Sequence, residues 1–229
     1  MNVLRIHRAG PSIDALLLER FRDVPAAALS DALERNAAVV GLLPVGGCLS
    51  GLAGRSVAGP ALTVRTRPGD NLAVHKALDL VRPGDVLVVD AHGDLESSIM
   101  GDLMTRYAMS REVAAVVIDG AVRDRDFISN GDLPIFARGF SHIGPDKFGP
   151  GEIHVPVTIG GVVVHDGDLV VGDTDGVTIV PHARIDEALT NAERIVNNEN
   201  ETRRAIEART WDRSWVDAAC TVVMVPDES

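Results

Sequence analysis

The sequence has few aromatic residues and few cysteines. Aromatic residues make up 3% of its 229 residues, so the core must be built from valine, leucine, isoleucine and alanine. The two cysteines, Cys48 and Cys220, are far apart and form neither a CxxC pair nor a metal-ligand spacing. Both are predicted to be small apolar side chains, buried or half-buried.

Several longer motifs are missing as well. No apolar run approaches membrane-spanning length, and residues 1–8 contain no apolar leader segment, which predicts no membrane partner and a reducing cytoplasm. Neither a GxGxxG after a strand nor a P-loop lysine occurs, so nucleotide binding has no support. Lysine occurs only at Lys76 and Lys147, and no motif positions either one to form a Schiff base.

Positive charge is also in deficit. The chain has 33 acidic and 22 basic residues, a formal net charge of −11, which argues against nucleic acid as the main partner. The 45% hydrophobic content and mean hydropathy of +0.11 predict a globular chain with one domain over residues 1–229. An acidic protein that binds an anionic substrate must concentrate positive charge locally, through arginine and a metal ion.

The order of the predicted elements indicates a mixed α/β fold rather than a regular doubly wound sheet. Ser12 is a candidate N-cap for a first helix, and Ser30 with Asp31 for a second. Apolar strands and helices alternate through the first half, with a one-sided strand at 60–67 and a buried strand at 86–90. Hairpins follow over residues 152–180, and a long amphipathic helix over 183–208.

Several isolated polar residues fit structural roles better than ligand binding. His75, among apolar neighbours of a predicted helix at 72–81, is interpreted as a hydrogen-bonded core or interface residue. His92, Asp94 and Glu96 do not match a metal motif and are assigned to the rim of the site, with an ordinary solvated loop as the alternative. The aspartates of the hairpin region lack the calcium-loop spacing and are interpreted as turn residues; they are Asp166, Asp168, Asp173 and Asp175.

The segment from residue 101 to residue 124 organises the chain. A helix is predicted to start at Gly101 and Asp102, and the apolar, β-branched run at 114–118 is typical of a buried strand. Arg123 and Asp124 follow that strand. The order helix, strand, turn therefore allows both polar ends to share one cleft.

The chemistry of the two ends is complementary. The first-turn amides of the helix, those of Leu103 and Met104, suit a small carboxylate. Arg123 offers a planar set of donors for an oxo or carboxylate oxygen, while Asp124 offers a hard oxygen ligand for Mg²⁺ or Mn²⁺. Together these groups predict a site for a metal-bound 2-oxo acid.

Three motifs in this segment carry a resemblance to a known family. Gly101-Asp102-Leu103-Met104, Val116-Val117-Ile118-Asp119-Gly120 and Val122-Arg123-Asp124 resemble the metal-dependent 4-hydroxy-4-methyl-2-oxoglutarate/4-carboxy-4-hydroxy-2-oxoadipate aldolases. These belong to a wider group that includes the regulator of ribonuclease activity A. With weaker similarity at 29–33 and 70–78, the resemblance extends over residues 30–204.

The resemblance implies a fold and an assembly. It implies a β/β/α swivelling-domain core with a long C-terminal helix, assembled as trimers or hexamers with sites at subunit clefts. A glutamate from that helix would reach a neighbouring subunit's site and support the metal through water. Glu199 is the best match, and Glu201 is a near alternative.

The resemblance also implies residue roles. Asp124 would hold Mg²⁺ or Mn²⁺, Gly101 and the amides of Leu103 and Met104 would bind the pyruvyl carboxylate, Arg123 would stabilise the enolate, and Asp102 would position the water that protonates it. The implied reaction is a retro-aldol cleavage that gives pyruvate and a second oxo acid, with oxaloacetate decarboxylation as a side activity.

Two alternatives stay open. One is a non-catalytic regulator of a ribonuclease assembly. Regulators in this group lack the acidic residue after the arginine, so the Arg123-Asp124 pair favours the aldolase. The other is a related lyase or hydrolase that acts on a different 2-oxo acid.

Overall fold

The computed structural model describes residues 3–47, 52 and 54–224. The strands are β1 (Leu4–Ile6), β2 (Leu43–Gly46), β3 (Val57–Thr66), β4 (Val86–Met100), β5 (Ala115–Val122), β6 (Ile135–Phe140), β7 (Gly151–Ile153), β8 (Val157–Ile159), β9 (Val162–Val164), β10 (Leu169–Gly172) and β11 (Val177–Val180). The helices are α1 (Ala15–Arg22), α2 (Ala26–Ala32), α3 (Leu72–Leu80), α4 (Asp102–Ser110), α5 (Arg125–Ser129), α6 (Ile185–Glu207) and α7 (Ser214–Ala219).

The main sheet is built around four neighbouring parallel strands, in the order β3, β4, β5, β6. Helices α3, α4 and α5 connect them in turn, as parallel pairing requires. β2 pairs with β6 in the antiparallel sense at one edge, and β7 pairs with β3 towards the other. β10 pairs with the first half of β3 and with β11, while β8 and β9 form a separate hairpin.

Alternate residues of the parallel strands face two different cores, because side chains in a strand alternate between faces. Leu87 and Val89 of β4 pack with α3, α4 and α5. Val86 and Val88 pack on the opposite face with β8 to β11. A third apolar cluster joins α1, α2 and α6 to β10 and β11. The prediction of a mixed α/β fold with a long C-terminal helix is confirmed.

The strand predicted at 60–67 is present, but the prediction that one of its faces is solvated is wrong. β3 starts earlier, at Val57, and eight of its ten residues are buried. The reason is that both faces of β3 are covered, one by α3 and the other by β8 to β11. Cys220 also differs from the prediction, since it is exposed, while Cys48 lies outside the described residues.

Both predicted helix caps are wrong. Helix α1 is capped by Asp14, whose Oδ1 accepts from Leu16 N at 2.9 Å, rather than by Ser12. Helix α2 begins directly after Pro25, so Ser30 and Asp31 lie inside it. Proline suits a helix start because its φ is fixed and its missing N–H is not needed there.

The start of α2 is completed from a distant part of the chain. Asp173, in the turn between β10 and β11, accepts a hydrogen bond from Ala26 N at 2.8 Å. Its other carboxylate oxygen accepts from Asp175 N at 2.9 Å. Asp173 and Asp175 are turn residues, as interpreted, and Asp173 acts as a helix cap as well.

The hairpins and the long helix also agree with the prediction. β8 with β9 and β10 with β11 are antiparallel pairs within 152–180, and α6 extends over 23 residues. Within the described residues, no helix is both long and apolar enough to cross a bilayer.

Asp70 ties two parts of the chain together beside the parallel strands. Its side chain is fully buried. Oδ1 accepts from Leu72 N at 2.9 Å, and Oδ2 accepts from Phe148 N at 2.7 Å and Gly149 N at 2.9 Å. Burial alone raises the pKa of this carboxyl, but the hydrogen bonds from the three amides and from Arg67 outweigh burial and lower the pKa below its usual value. Asp70 thereby fixes the start of α3 against the segment that precedes β7.

We expect Asp70→Asn to lower the free energy of unfolding by about 3 kcal/mol, because an amide NH₂ then faces buried backbone N–H groups. The folded-state pKa lies below the unfolded value, so the charge stabilises the fold above about pH 4 and this advantage is lost as the pH falls further. Urea unfolding from pH 7 to pH 3 measures the difference.

The matched control is Asp31→Asn, at an exposed aspartate that pairs at 3.1 Å with Arg35, a residue in the turn after α2. Removal of this surface charge changes the stability by less than about 0.5 kcal/mol. Equal stability losses in the two variants, or a loss at Asp70 that does not depend on pH, contradict the assignment.

Candidate active site

The ends of β4 and β5 bring the predicted site residues together. Met100 and Val122 are paired across the two parallel strands, and Arg123 N donates to Met100 O at 2.9 Å. Helix α4 starts two residues after Met100. The segments 101–104 and 123–124 therefore share one cleft, as the order of elements predicted.

Gly101 allows the two segments to approach closely. Its φ of −147° is accessible to any residue, so the requirement for glycine is one of space. A Cβ atom at this position would lie 2.4 Å from Asp124 Oδ2 and 2.8 Å from Arg123 Cγ. Any larger residue at 101 displaces both side chains.

Asp124 is held in a left-handed backbone conformation, with φ 60° and ψ 49°, at the start of α5. This conformation is costly for most L-residues and is best tolerated by glycine, asparagine and aspartate. Asp124 Oδ2 accepts a hydrogen bond from Asp102 N at 2.7 Å. The carboxylate thus occupies the first amide of α4, where the helix dipole favours negative charge.

The cleft has a volume of about 150 Å³, and its lining includes Asn71, His75, Met104, Arg123, Asp124 and Lys147. It adjoins a shallower opening that includes Asp102, Leu103, Arg123 and Asp124. Arg123 Nε lies 3.8 Å from Asp124 Oδ2. The first-turn amides of α4, Arg123 and Lys147 make the cleft locally rich in donors on an acidic protein, which suits a small anion.

Asp102 and its neighbours point in different directions. The Asp102 carboxylate pairs with Arg106 one helical turn along α4, and Arg106 stacks over the ring of Phe127 at 4.3 Å. Leu103 is 81% exposed, whereas Met104 is 8% exposed. Leu103 and Met104 therefore line the cleft with one side chain facing solvent and the other facing the core.

Glu199 does not line this cleft within its own chain. It lies on α6, pairs with Arg203 at 2.8 Å, and borders a separate surface groove with Ile195 and Thr202. Within the described residues, no three histidine, cysteine, aspartate or glutamate side chains are grouped as metal ligands. One or two carboxylates with water suit Mg²⁺ better than a full protein cage does, so Asp124 fits such an ion.

The structure adds Asn71 and Lys147, which sequence reasoning missed, and it places His75, interpreted above as a core or interface residue, in the cleft as well. Asn71 and His75 are one helical turn apart at the start of α3, and both line the cleft with Lys147. Burial lowers the pKa of His75, the charge of Lys147 lowers it further, and Asp79 opposes this shift. The four-residue spacing of Asn71 and His75 could have indicated that they share one face of a helix. The position of Lys147 could not be predicted in this way, because it depends on how the segment after β6 folds back.

The assignment of His92, Asp94 and Glu96 to the rim is wrong. None of the three lines the cleft, and His92 borders a different cavity with Arg65 and Glu152. The physical reason is the length of β4, which continues past residue 90 to Met100 with irregular pairing. The site therefore lies at the far end of the strand.

The mixed sheet, with a donor-rich cleft at the carboxyl ends of its parallel strands, defines an α/β protein whose cleft lies where such sheets usually place a ligand site. The chain belongs to the RraA-like family, whose model, described as Aldolase/RraA, matches residues 26–179. The predicted RraA-like fold is confirmed by this match and by solved structures.

Three similar proteins illustrate the family. A protein of Halalkalibacterium halodurans with the provisional name 4-hydroxy-4-methyl-2-oxoglutarate aldolase is 39% identical over 190 residues, 82% of this chain and 88% of that protein. Streptomyces coelicolor RraAS2, described as an unusual member of the RNase ES inhibitor RraA family, is 30% identical with a TM-score of 0.75, covering 85% of this chain and 98% of that one. The RNA-processing inhibitor RraA of Thermus thermophilis is 30% identical with a TM-score of 0.62, covering 69% and 93%.

We expect Lys147→Gln to raise the pKa of His75, because the variant removes a positive charge that disfavours the protonated imidazole. NMR titration of the His75 ring protons measures the change. Lys76→Gln is the matched control, since Lys76 pairs with Asp79 at 3.2 Å and does not act directly on His75. A larger shift in the control than in Lys147→Gln contradicts this account.

Proposed function

We propose that this chain is a carbon–carbon lyase that cleaves a 4-hydroxy-2-oxo dicarboxylic or tricarboxylic acid to pyruvate and a second oxo acid. Oxaloacetate decarboxylation is the expected side activity, because it passes through the same pyruvate enolate. The observation that carries the proposal is the meeting of Gly101, the first turn of α4, Arg123 and Asp124 in one cleft. The name of the H. halodurans relative supports it.

The residues of the cleft have distinct roles in this reaction. The amides of Leu103 and Met104 bind the pyruvyl carboxylate at the N-terminus of α4. Arg123 donates to the keto oxygen and stabilises the negative charge that develops there as the carbon–carbon bond breaks. Asp102, at the mouth of the cleft, positions a water that takes up the proton of the C4 hydroxyl as the bond breaks and then returns a proton to the product carbon.

Asp124 is the proposed ligand for Mg²⁺ or Mn²⁺, with water and substrate oxygens completing the coordination. Such an ion would supply additional charge stabilisation for the oxygens of the 2-oxo acid. The hard carboxylate oxygens of Asp124 at the edge of a donor-rich cleft support this assignment. The hydrogen bond from Asp102 N uses one lone pair of Asp124 Oδ2 and holds the carboxylate in position to bind the ion.

We also propose that Glu199 supports the ion from a neighbouring subunit of a homotrimer or homohexamer, with Glu201 as the alternative. The exposure of this part of α6 supports the idea, since the second half of the helix is largely uncovered by its own chain. This role requires assembly.

The test is pyruvate release from oxaloacetate and from 4-carboxy-4-hydroxy-2-oxoadipate, with Mg²⁺ or Mn²⁺ and then with EDTA. We expect EDTA to abolish turnover, and Arg123→Ala and Asp124→Asn each to lower kcat by about 10²–10³. Arg35→Ala and Asp31→Asn are matched controls, because the two side chains are exposed, pair with each other at 3.1 Å, and line neither the cleft nor its opening. Turnover that resists EDTA, or equal losses in the controls, refutes the assignment.

Lys147 makes a second test necessary, because it lines the cleft and a lysine there invites a Schiff-base mechanism. We expect borohydride with pyruvate to leave the protein unmodified by mass spectrometry, since Arg123 and the bound ion stabilise the enolate. Lys147→Arg keeps the charge but cannot form the imine, so it should retain most of the activity. A reduced pyruvate adduct on Lys147 overturns the mechanism.

The alternative function is inhibition of a ribonuclease assembly, which the names of the Streptomyces and Thermus proteins favour. The retained Asp124 and its hydrogen bond to α4 favour the lyase. Ribonuclease inhibition by a chain that neither binds metal nor releases pyruvate would establish the alternative.

A further inference from the structure

Asn71 occupies a fixed position at the inner end of the cleft. The residue is 3% exposed. Its backbone N donates to Asp146 O at 3.1 Å, and its backbone O accepts from His75 N at 3.0 Å. Asp70 beside it is held by the hydrogen bonds already described. Asn71 therefore has little freedom to move.

The orientation of the Asn71 amide is set by its neighbours. Nδ2 donates to Ile99 O at 2.9 Å and lies 3.1 Å from Met104 Sδ. A reversed amide would put two oxygen acceptors, Asn71 Oδ1 and Ile99 O, against each other. Oδ1 is therefore the atom that remains for another partner.

Asn71 Oδ1 has no such partner within the described residues. Two other buried side-chain atoms there also make no hydrogen bond, Arg111 Nε and His154 Nδ1, although His154 Nδ1 lies 2.9 Å from Asp166 Oδ1. Of these three residues only Asn71 lines the cleft. A buried acceptor without a donor is unfavourable and is expected to be satisfied when the site is filled. The ligand of this cleft should therefore carry a hydrogen-bond donor.

The other cleft groups narrow the identity of that donor. Arg123, Lys147 and the α4 amides are donors that suit carboxylate and keto oxygens. The hydroxyl of Ser98, also in the cleft, already donates to Ile143 O at 2.9 Å. On an ionised oxo acid, a hydroxyl is the group that donates.

We propose that Asn71 Oδ1 accepts a hydrogen bond from the C4 hydroxyl of the substrate and selects for hydroxylated 2-oxo acids. The identity of the hydroxyl rests on the proposed function. Asn71 cannot take the proton away, because an amide oxygen is a very weak base. It binds and orients the hydroxyl, and so determines specificity.

The test compares two substrates within one variant. Asn71→Leu keeps the size of the side chain and removes its polar atoms. We expect the ratio of kcat/KM for 4-hydroxy-4-methyl-2-oxoglutarate to kcat/KM for oxaloacetate, which lacks the hydroxyl, to fall about 10- to 100-fold. The ratio cancels any general loss from the missing bond to Ile99 O. Ser98→Ala, the matched control, should leave the ratio within about threefold.

Binding separates this inference from the proposed function. Calorimetry in EDTA, which stops cleavage, gives the affinities of 4-hydroxy-4-methyl-2-oxoglutarate and 4-methyl-2-oxoglutarate, which differ only in the hydroxyl. We expect wild type to prefer the hydroxylated acid about tenfold or more and Asn71→Leu to lose that preference, whether or not either acid is cleaved.

Three results overturn the inference. They are a substrate ratio unchanged in Asn71→Leu, equal affinities of wild type for the two acids, and binding of neither acid. If wild type cleaves the hydroxy acid but Asn71→Leu leaves the kcat/KM ratio unchanged, the lyase assignment is supported and the role of Asn71 is refuted. If the preference for the hydroxylated acid depends on Asn71 but no pyruvate forms, the role of Asn71 is supported and the lyase assignment is refuted.

Discussion

The parallel pairing of β4 with β5 is the constraint on which the cleft depends. It places Met100 beside Val122, and the hydrogen bond from Arg123 N to Met100 O continues that pairing past the end of the strand. Because parallel strands present their carboxyl ends at the same edge, the start of α4 and the Arg123-Asp124 turn must meet there. Gly101 then allows a contact closer than any side chain permits.

A second constraint acts from the side. The buried carboxylate of Asp70 joins the start of α3 to residues 148 and 149, and thereby brings Asn71, His75 and Lys147 to the cleft formed by β4 and β5. Two independent parts of the chain thus complete one site. The buried charge is stable because backbone amides, rather than water, satisfy its oxygens.

The electrostatics of the cleft differ from those of the whole protein. A chain with a net charge of −11 repels anions at long range. The N-terminus of α4, Arg123 and Lys147 reverse this locally. Burial lowers the pKa of His75, and the charge of Lys147 lowers it further. Asp124 lies at the edge of this positive region, where a cation and an anion can both be accommodated.

The sequence by itself determined the elements of the fold and the pair of segments that form the site. Strand alternation, Asp-Gly turns and the amphipathic helix α6 are local patterns, and the order helix, strand, turn was enough to bring Gly101 and Asp102 near Arg123 and Asp124. Ser12, Ser30 and Asp31 misled because capping residues are common, while the actual start of α2 takes its cap from Asp173 in a distant hairpin. Only the tertiary structure could show which residue caps α2.

The tertiary structure also decided the inner surface of the cleft. The extension of β4 to Met100 moved His92, Asp94 and Glu96 away from the site, because the pairing with β5 resumes after an irregular stretch that has no periodic signal. Lys147 and Asn71 are 76 positions apart in sequence, and the bonds of Asp70 join their segments. Sequence pattern reports local geometry, whereas a site assembled by long-range hydrogen bonds exists only once the chain has folded.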